Sequence, residues 1–129
     1  MKIAIASLLL AAPLMVNAAC HFSFFQTANW DESGRRYRVR ATASGDDPNI
    51  NTWRMIEDFC NIYRDSTSAR ALPNPICSIQ SPERHLADAD TSEPHGPSGV
   101  HAHHLLYEEI IKELKRTYRF CTYVNHAAY

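Results

Sequence analysis

Residues 36–43 read RYRVRATA, and polar and apolar side chains alternate along the whole segment. The odd-numbered positions hold tyrosine, valine and two alanines, and the even-numbered positions hold Arg36, Arg38, Arg40 and Thr42. Because successive side chains of a strand point to opposite sides of a sheet, this pattern is typical of a strand with one buried side. We therefore predict a half-buried strand with a basic outer face.

A second strand precedes this segment. Residues 20–27 (CHFSFFQT) are rich in aromatic side chains that alternate loosely with polar ones, which favours a strand. Residues 29–34 between the two segments contain asparagine, aspartate, serine and glycine, which are common in turns. The three segments together predict an antiparallel hairpin.

Two helices are expected in the remaining sequence. The first begins at Asn51 or Thr52, carries an apolar stripe that starts at Trp53 with i, i+3, i+7 and i+10 spacing, and ends near residues 65–68. The second begins at His101, and its leucine and isoleucine residues recur every fourth position.

Two more short strands are expected, at residues 76–79 and 118–124. Residues 81–99 are polar and contain three prolines, so they predict a long polar loop. The element order is strand, strand, helix, strand, helix, strand. This order predicts an α+β sandwich of about four antiparallel or mixed strands with two helices on one face. It matches a split βαβ arrangement with one strand missing or hidden in the loop.

The first eighteen residues predict an export signal. Lys2 is followed by an apolar run at residues 3–16, and residues 16–18 (VNA) form a small-residue cleavage pattern. We expect residues 19–129 to form one secreted, extracellular domain without a membrane anchor. The formal net charge of −1 argues against bulk attraction to nucleic acid or to anionic lipid.

The four cysteines predict two structural disulfides in an oxidising compartment. Cys20 lies on the first predicted strand and Cys121 on the last, whereas Cys60 lies on the first helix and Cys77 on the strand after it. Among the three possible pairings we favour Cys20–Cys121 with Cys60–Cys77. No zinc-ribbon spacing occurs, and oxidised cysteines leave no thiolate nucleophile.

The candidate binding surface is divided between the arginine strand and the histidine-rich segment that follows residue 80. No serine–histidine–acid order or nucleophile-elbow motif is present, so we expect no catalytic residues. No glycine-rich phosphate-binding loop and no His-Glu-x-x-His motif occurs either, so we expect no cofactor and no bound metal. The residues expected to contact a partner are Arg36, Arg38, Arg40, His85, His95, His101 and His103.

Two alternative functions remain open. Glu83 and His85 offer an acid–base pair near arginine, which is the residue set of a secreted ribonuclease. Closely spaced imidazoles, among them His101 and His103, can also bind zinc or copper.

The whole-chain organisation resembles that of small secreted cysteine-containing fungal effectors. The resemblance rests on the short signal ending in VNA at residues 16–18, on an even number of cysteines, and on cysteines at Cys20 and Cys121. The order of helices and strands is also similar to the α/β sandwich of killer-toxin-like effectors. The resemblance implies secretion by a fungus during host colonisation and action by binding a host component. We also expect a non-enzymatic monomer that binds a host protein or surface component, in the extracellular space or after uptake into host cells.

Overall fold

The elements are defined by a computed structural model that describes residues 20–80, 83 and 85–128, so the predicted signal at residues 1–18 lies outside the described residues. The elements are β1 (Cys20–Asp31), β2 (Arg35–Gly45), α1 (Thr52–Ala69), β3 (Ile76–Ile79), β4 (Leu86–Glu93), α2 (Pro97–Thr117) and β5 (Thr122–His126).

In the described part of the chain, five strands form one mixed sheet in the order β3-β4-β2-β1-β5. The predicted hairpin of β1 and β2 is antiparallel, β4 joins β2 and β3 in antiparallel pairs, and β5 runs parallel to β1. The two helices pack against this sheet, which confirms the predicted α+β class. The sheet has five strands where the sequence predicted about four.

Both helices cover the same side of the sheet. α1 packs on β2, β3 and β4, and α2 packs on α1 and β4. The core between the layers contains Phe22 and Phe24 from β1, Val39 from β2 and Phe59 from α1, all without exposed surface. The alternation along residues 36–43 therefore predicted the buried side of β2 correctly.

Each helix begins at a residue that suits the first turn of a helix. The side chain of Asn51 accepts a hydrogen bond from the backbone N–H of Arg54 at 3.0 Å, so Asn51, one of the two residues predicted to start this helix, caps α1. α2 begins at Pro97, four residues before the predicted start at His101. Proline suits the first turn of a helix because its missing N–H would have no partner there. No helix among the described residues is long and apolar enough to cross a membrane.

The predicted long loop at residues 81–99 is wrong, because β4 and the first residues of α2 occupy much of it. β4 reads LADADTSE and lacks the branched and aromatic residues that favour strands in isolation. Its alanines face the helices and its aspartates face away, opposite the arginines of β2. The strand that the split βαβ arrangement left missing or hidden therefore lies in this segment.

The first and last strands of the chain also differ from prediction at their ends. β1 continues to Asp31, and the turn is confined to three residues, in which Ser33 and Gly34 have φ angles of 56° and 118°. β5 begins at Thr122 rather than at Tyr118, because the backbone N–H of Tyr118 still donates to Leu114 at the end of α2.

Two disulfides connect the pairs favoured from the sequence, Cys20–Cys121 and Cys60–Cys77. The first joins β1 to the residue before β5, and the second joins α1 to β3. Cross-links that close longer loops remove more conformational freedom from the unfolded chain. Since these bridges span 101 and 17 positions, the outer bridge restricts the unfolded chain more.

Two tyrosine hydroxyls are buried in the core without a hydrogen-bond partner among the described residues. They belong to Tyr63 on α1 and Tyr107 on α2, and both side chains are fully buried. Burial raises the pKa of both phenols well above the usual value of 10, because the ionised form loses its hydration. In contrast, the Tyr118 hydroxyl donates to Asp58 at 2.5 Å.

We predict that Tyr107→Phe leaves the free energy of unfolding at pH 7 unchanged or increases it, because it removes a buried hydroxyl that has no partner. Above pH 10 the unfolded tyrosine ionises while the folded one stays protonated, so stability falls as pH rises. The variant should reduce that fall by up to about 1.4 kcal/mol per pH unit. Urea unfolding between pH 7 and 11 measures both effects.

Tyr118→Phe is the matched control, because it removes a hydroxyl that does have a partner. It should destabilise the protein by about 1 kcal/mol at pH 7. Equal losses in the two variants at pH 7 would contradict the assignment of the Tyr107 hydroxyl as unpaired.

Candidate binding face of the sheet

Among the described residues no helix or second sheet packs on the side of the sheet opposite the helices, here called the open face, although the carbonyl groups of Asn74 and Glu32 contact its residues Arg36 and Ser92. The pairing register assigns side chains to it: residues directly opposite one another on neighbouring strands point the same way, as Arg38 and Asp90 do. By this register the open face contains Phe25, Ala28, Trp30, Arg36, Arg38, Arg40, Ile76, Asp88, Asp90 and Val124.

Arg36 is buried within this face, with 2% of its surface exposed. Its Nε donates to the carboxylate of Asp90, and one terminal nitrogen donates to Ser92 Oγ at 3.2 Å. The other terminal nitrogen donates to the carbonyl oxygens of Asn74 and Asp90. Arg36 therefore links β2 to β4 and to the segment before β3. The prediction that it contacts a partner is wrong, because a partner cannot reach a buried side chain.

Arg38 and Arg40 are the accessible arginines of the open face, with 44% and 42% of their side chains exposed. Arg40 donates from Nε and one terminal nitrogen to the two oxygens of Asp88, each at 2.9 Å. That bidentate hydrogen bond raises the pKa of Arg40 further above its usual range. Arg38 donates from Nε to Asp90 at 3.1 Å.

The predicted basic outer face of β2 is therefore largely neutralised. Two carboxylates of β4, Asp88 and Asp90, lie directly opposite Arg40 and Arg38 in the sheet. The sequence contained a signal for this pairing, because the aspartates alternate with alanines in the same period-two pattern as the arginines. The prediction of a loop at residues 81–99 did not take this alternation into account.

Apolar side chains lie beside the arginines on the open face. Phe25 on β1 is 45% exposed, and its register partner on β2 is Arg40. The ring of Phe25 stacks on the ring of His126 with 5.2 Å between centroids. Val124 on β5 is 40% exposed and pairs with Ser23, two residues from Phe25. Aromatic, apolar and arginine side chains therefore share one accessible patch.

The histidines of the predicted binding surface lie far apart. His85 precedes β4 and His95 follows it, so roughly 25 Å of extended strand separates them. His95 is exposed and contacts Asp31 at 3.0 Å, and His101 is exposed on α2. No group of three or more histidine, cysteine or acidic side chains among the described residues is arranged to hold a metal ion.

His103 belongs to the core, and its expected place on the binding surface is wrong. It is 1% exposed, with its ring stacked on Tyr37 at 4.7 Å. Its Nε2 lies 3.0 Å from the carbonyl oxygen of Ala127 and its Nδ1 lies 2.6 Å from Glu93. A carbonyl can only accept, so Nε2 carries a proton and donates it. His103 thus connects α2 to β4 and to the residue after β5.

A surface depression of about 400 Å³ contains both residues of the predicted acid–base pair, Glu83 and His85. It lies between the end of β2 and the start of α1. His85 has a φ angle of 49°, an uncommon conformation for a residue with a side chain. Its Nδ1 forms a hydrogen bond with the hydroxyl of Thr52, and its ring meets Trp53 edge-on.

Comparison with protein-family models, with curated proteins and with solved structures found no match to this chain. Function is therefore inferred from the chemistry of its own residues.

We predict that Asp90→Asn destabilises the fold by about 3–5 kcal/mol, because it leaves the buried charge of Arg36 without its counter-ion. Asp88→Asn breaks an ion pair whose arginine is partly exposed, and it should cost at most about 1 kcal/mol. Denaturant unfolding of the two variants at pH 7 measures the difference. Similar losses for both would show that Asp90 does not neutralise a buried charge.

Proposed function

We propose that this protein is a secreted, effector-like protein that acts without catalysis by binding a host component through the open face. Export is supported by the signal-like residues 1–18 and by the two disulfides, which persist in oxidising compartments. The fungal and host context comes from the resemblance in chain organisation described above.

The observation that carries this proposal is the composition of the uncovered side of the sheet. Phe25 and Val124 expose apolar surface next to two half-exposed arginines, Arg38 and Arg40. Aromatic and arginine side chains are enriched at protein interfaces, where they contribute most of the binding energy. The strands hold these side chains in fixed positions, which reduces the entropy that a partner must overcome on binding.

The histidines that follow residue 80 lie apart from one another, and this separation also favours recognition over catalysis by them. A reaction that uses two imidazoles requires both near one substrate atom. Since β4 separates His85 from His95 and His103 lies in the core, these three cannot meet around one substrate.

We predict that a variant carrying Phe25→Ser and Val124→Ser loses binding to the host component while its fold remains. Labelled wild-type protein is equilibrated with host-tissue extract, and unlabelled variants compete for the bound fraction. The open-face variant should require at least about tenfold more protein for half-maximal competition, because each lost apolar contact is worth about 1 kcal/mol or more.

The control variant carries Leu105→Ser and Phe120→Ser, two residues with similar exposure that lie on α2 and in the turn before β5. It should compete as the wild type does. Circular dichroism and urea unfolding verify that both variants are folded. Equal competition by the open-face and control variants would overturn the proposal.

A ribonuclease-like activity is the second candidate, and the depression that contains Glu83 and His85 favours it. It predicts cleavage of single-stranded RNA by the purified protein, with the activity lost in His85→Ala and in Glu83→Ala. His95→Ala is the control, because His95 lies at the opposite end of β4. RNA left intact by the wild-type protein would eliminate this candidate.

A further inference from the structure

The guanidinium of Arg38 is held in place at Nε, whereas its two terminal nitrogens are accessible. Its Nε donates to Asp90, and its guanidinium carbon lies 5.0 Å from the centroid of the Trp30 ring. Trp30 is itself fixed by a hydrogen bond from Nε1 to Glu32 at 2.9 Å. No described residue accepts a hydrogen bond from the two terminal nitrogens of Arg38. The planar group is therefore oriented while its outer N–H donors remain available.

The charges on this part of the open face do not balance. Three guanidinium groups, those of Arg36, Arg38 and Arg40, face two carboxylates, those of Asp88 and Asp90. Arg40 takes both oxygens of Asp88, and Arg36 shares Asp90 with Arg38. Among these five groups one positive charge is therefore left over, and Arg38 is the arginine whose terminal donors stay unpaired within the described part of the chain, while Glu32 adds a carboxylate at Trp30 Nε1.

The surroundings of Arg38 limit what can bind there. Its register partner on β1 is Ala28, an exposed residue with a small side chain. Phe25 lies further along the same strand with nearly half of its surface exposed. An anionic group on Arg38 would therefore have an apolar surface beside it.

We propose that Arg38 binds a side-chain carboxylate of an acidic segment of a partner protein, with an apolar neighbour of that carboxylate packed on Ala28 and Phe25. A guanidinium presents two parallel N–H donors that match the two oxygens of a carboxylate. This inference rests on the proposed function, since it assigns the chemistry of the partner that the open face would recognise.

Charge favours a single carboxylate over a nucleic acid. Binding to a phosphate backbone draws its affinity from several cationic contacts at once. The described arginines of β2 and aspartates of β4 leave one unbalanced positive charge on the open face, and the whole chain has a net charge of −1. One excess guanidinium is sufficient for one carboxylate.

The test uses two capped peptides, Leu-Glu-Leu-Glu-Leu and its glutamine counterpart Leu-Gln-Leu-Gln-Leu, titrated into the ¹⁵N-labelled protein. We predict that the glutamate peptide shifts the amide signals of Ala28, Arg38 and Arg40 and that the glutamine peptide does not. Arg38→Gln should weaken glutamate-peptide binding by at least about tenfold, and Arg38→Lys by less, because lysine keeps the charge but loses the two-pronged geometry.

Arg116→Gln is the matched control, because Arg116 is an exposed arginine on α2, away from the open face. It should bind the glutamate peptide as the wild type does. Equal binding of the two peptides, or unchanged binding in Arg38→Gln, would overturn the proposal. Tighter binding of a ten-residue uridine oligonucleotide that also depends on Arg38 would overturn it in favour of nucleic acid.

These results can be separated from those of the extract competition. If the Phe25 and Val124 variant fails to compete while the peptides do not bind, the open face binds a partner of different chemistry and only the carboxylate proposal fails. If the glutamate peptide binds through Arg38 while the open-face variant competes normally, the carboxylate site stands and the proposed function fails.

Discussion

The buried ion pair between Arg36 and Asp90 is the constraint on which the sheet depends. It joins β2 to β4 across 54 positions of sequence. A guanidinium with almost no exposed surface is tolerated only where acceptors replace its lost water. Asp90, Ser92 and the carbonyl of Asn74 supply them, and they come from β4 and from the segment before β3. These segments must therefore assemble together before Arg36 can be buried.

Both helices lie on the same side of the sheet because each helix is attached to a strand by its own link. The Cys60–Cys77 disulfide attaches α1 to β3, and the contact of His103 with Glu93 attaches α2 to β4. The helices also pack on each other, so neither can move to the opposite side alone. The open face is a consequence of this arrangement, and its side chains are free to be selected for solubility or for binding.

The sequence predicted local structure well where one side of an element is strongly apolar. The stripe of α1 and the alternation of β2 are such cases. Both disulfides followed from the predicted placement of Cys20 on the first strand, Cys121 on the last, Cys60 on the first helix and Cys77 on the strand after it. β4 was missed because alanine and aspartate have little strand preference of their own. Its strand forms through pairing with β2, which a linear pattern does not contain. The burial of Arg36 and His103 was missed for the same reason, since Arg36 pairs with Asp90 and the ring of His103 stacks on Tyr37, both distant in sequence.

The pairing with β4 changes what the arginine strand can do. Neutralising most of its charge weakens a general attraction to anions, which acts over distance and is screened by salt. The same pairing orders Arg38, whose side chain would otherwise lose up to about 2 kcal/mol of rotamer entropy on binding. Asp90 and Trp30 hold that side chain before any ligand arrives, so much of this loss occurs during folding. The open face therefore attracts anions in general less strongly, but it presents the Arg38 guanidinium in a fixed geometry. A guanidinium fixed in this way favours recognition of a single carboxylate.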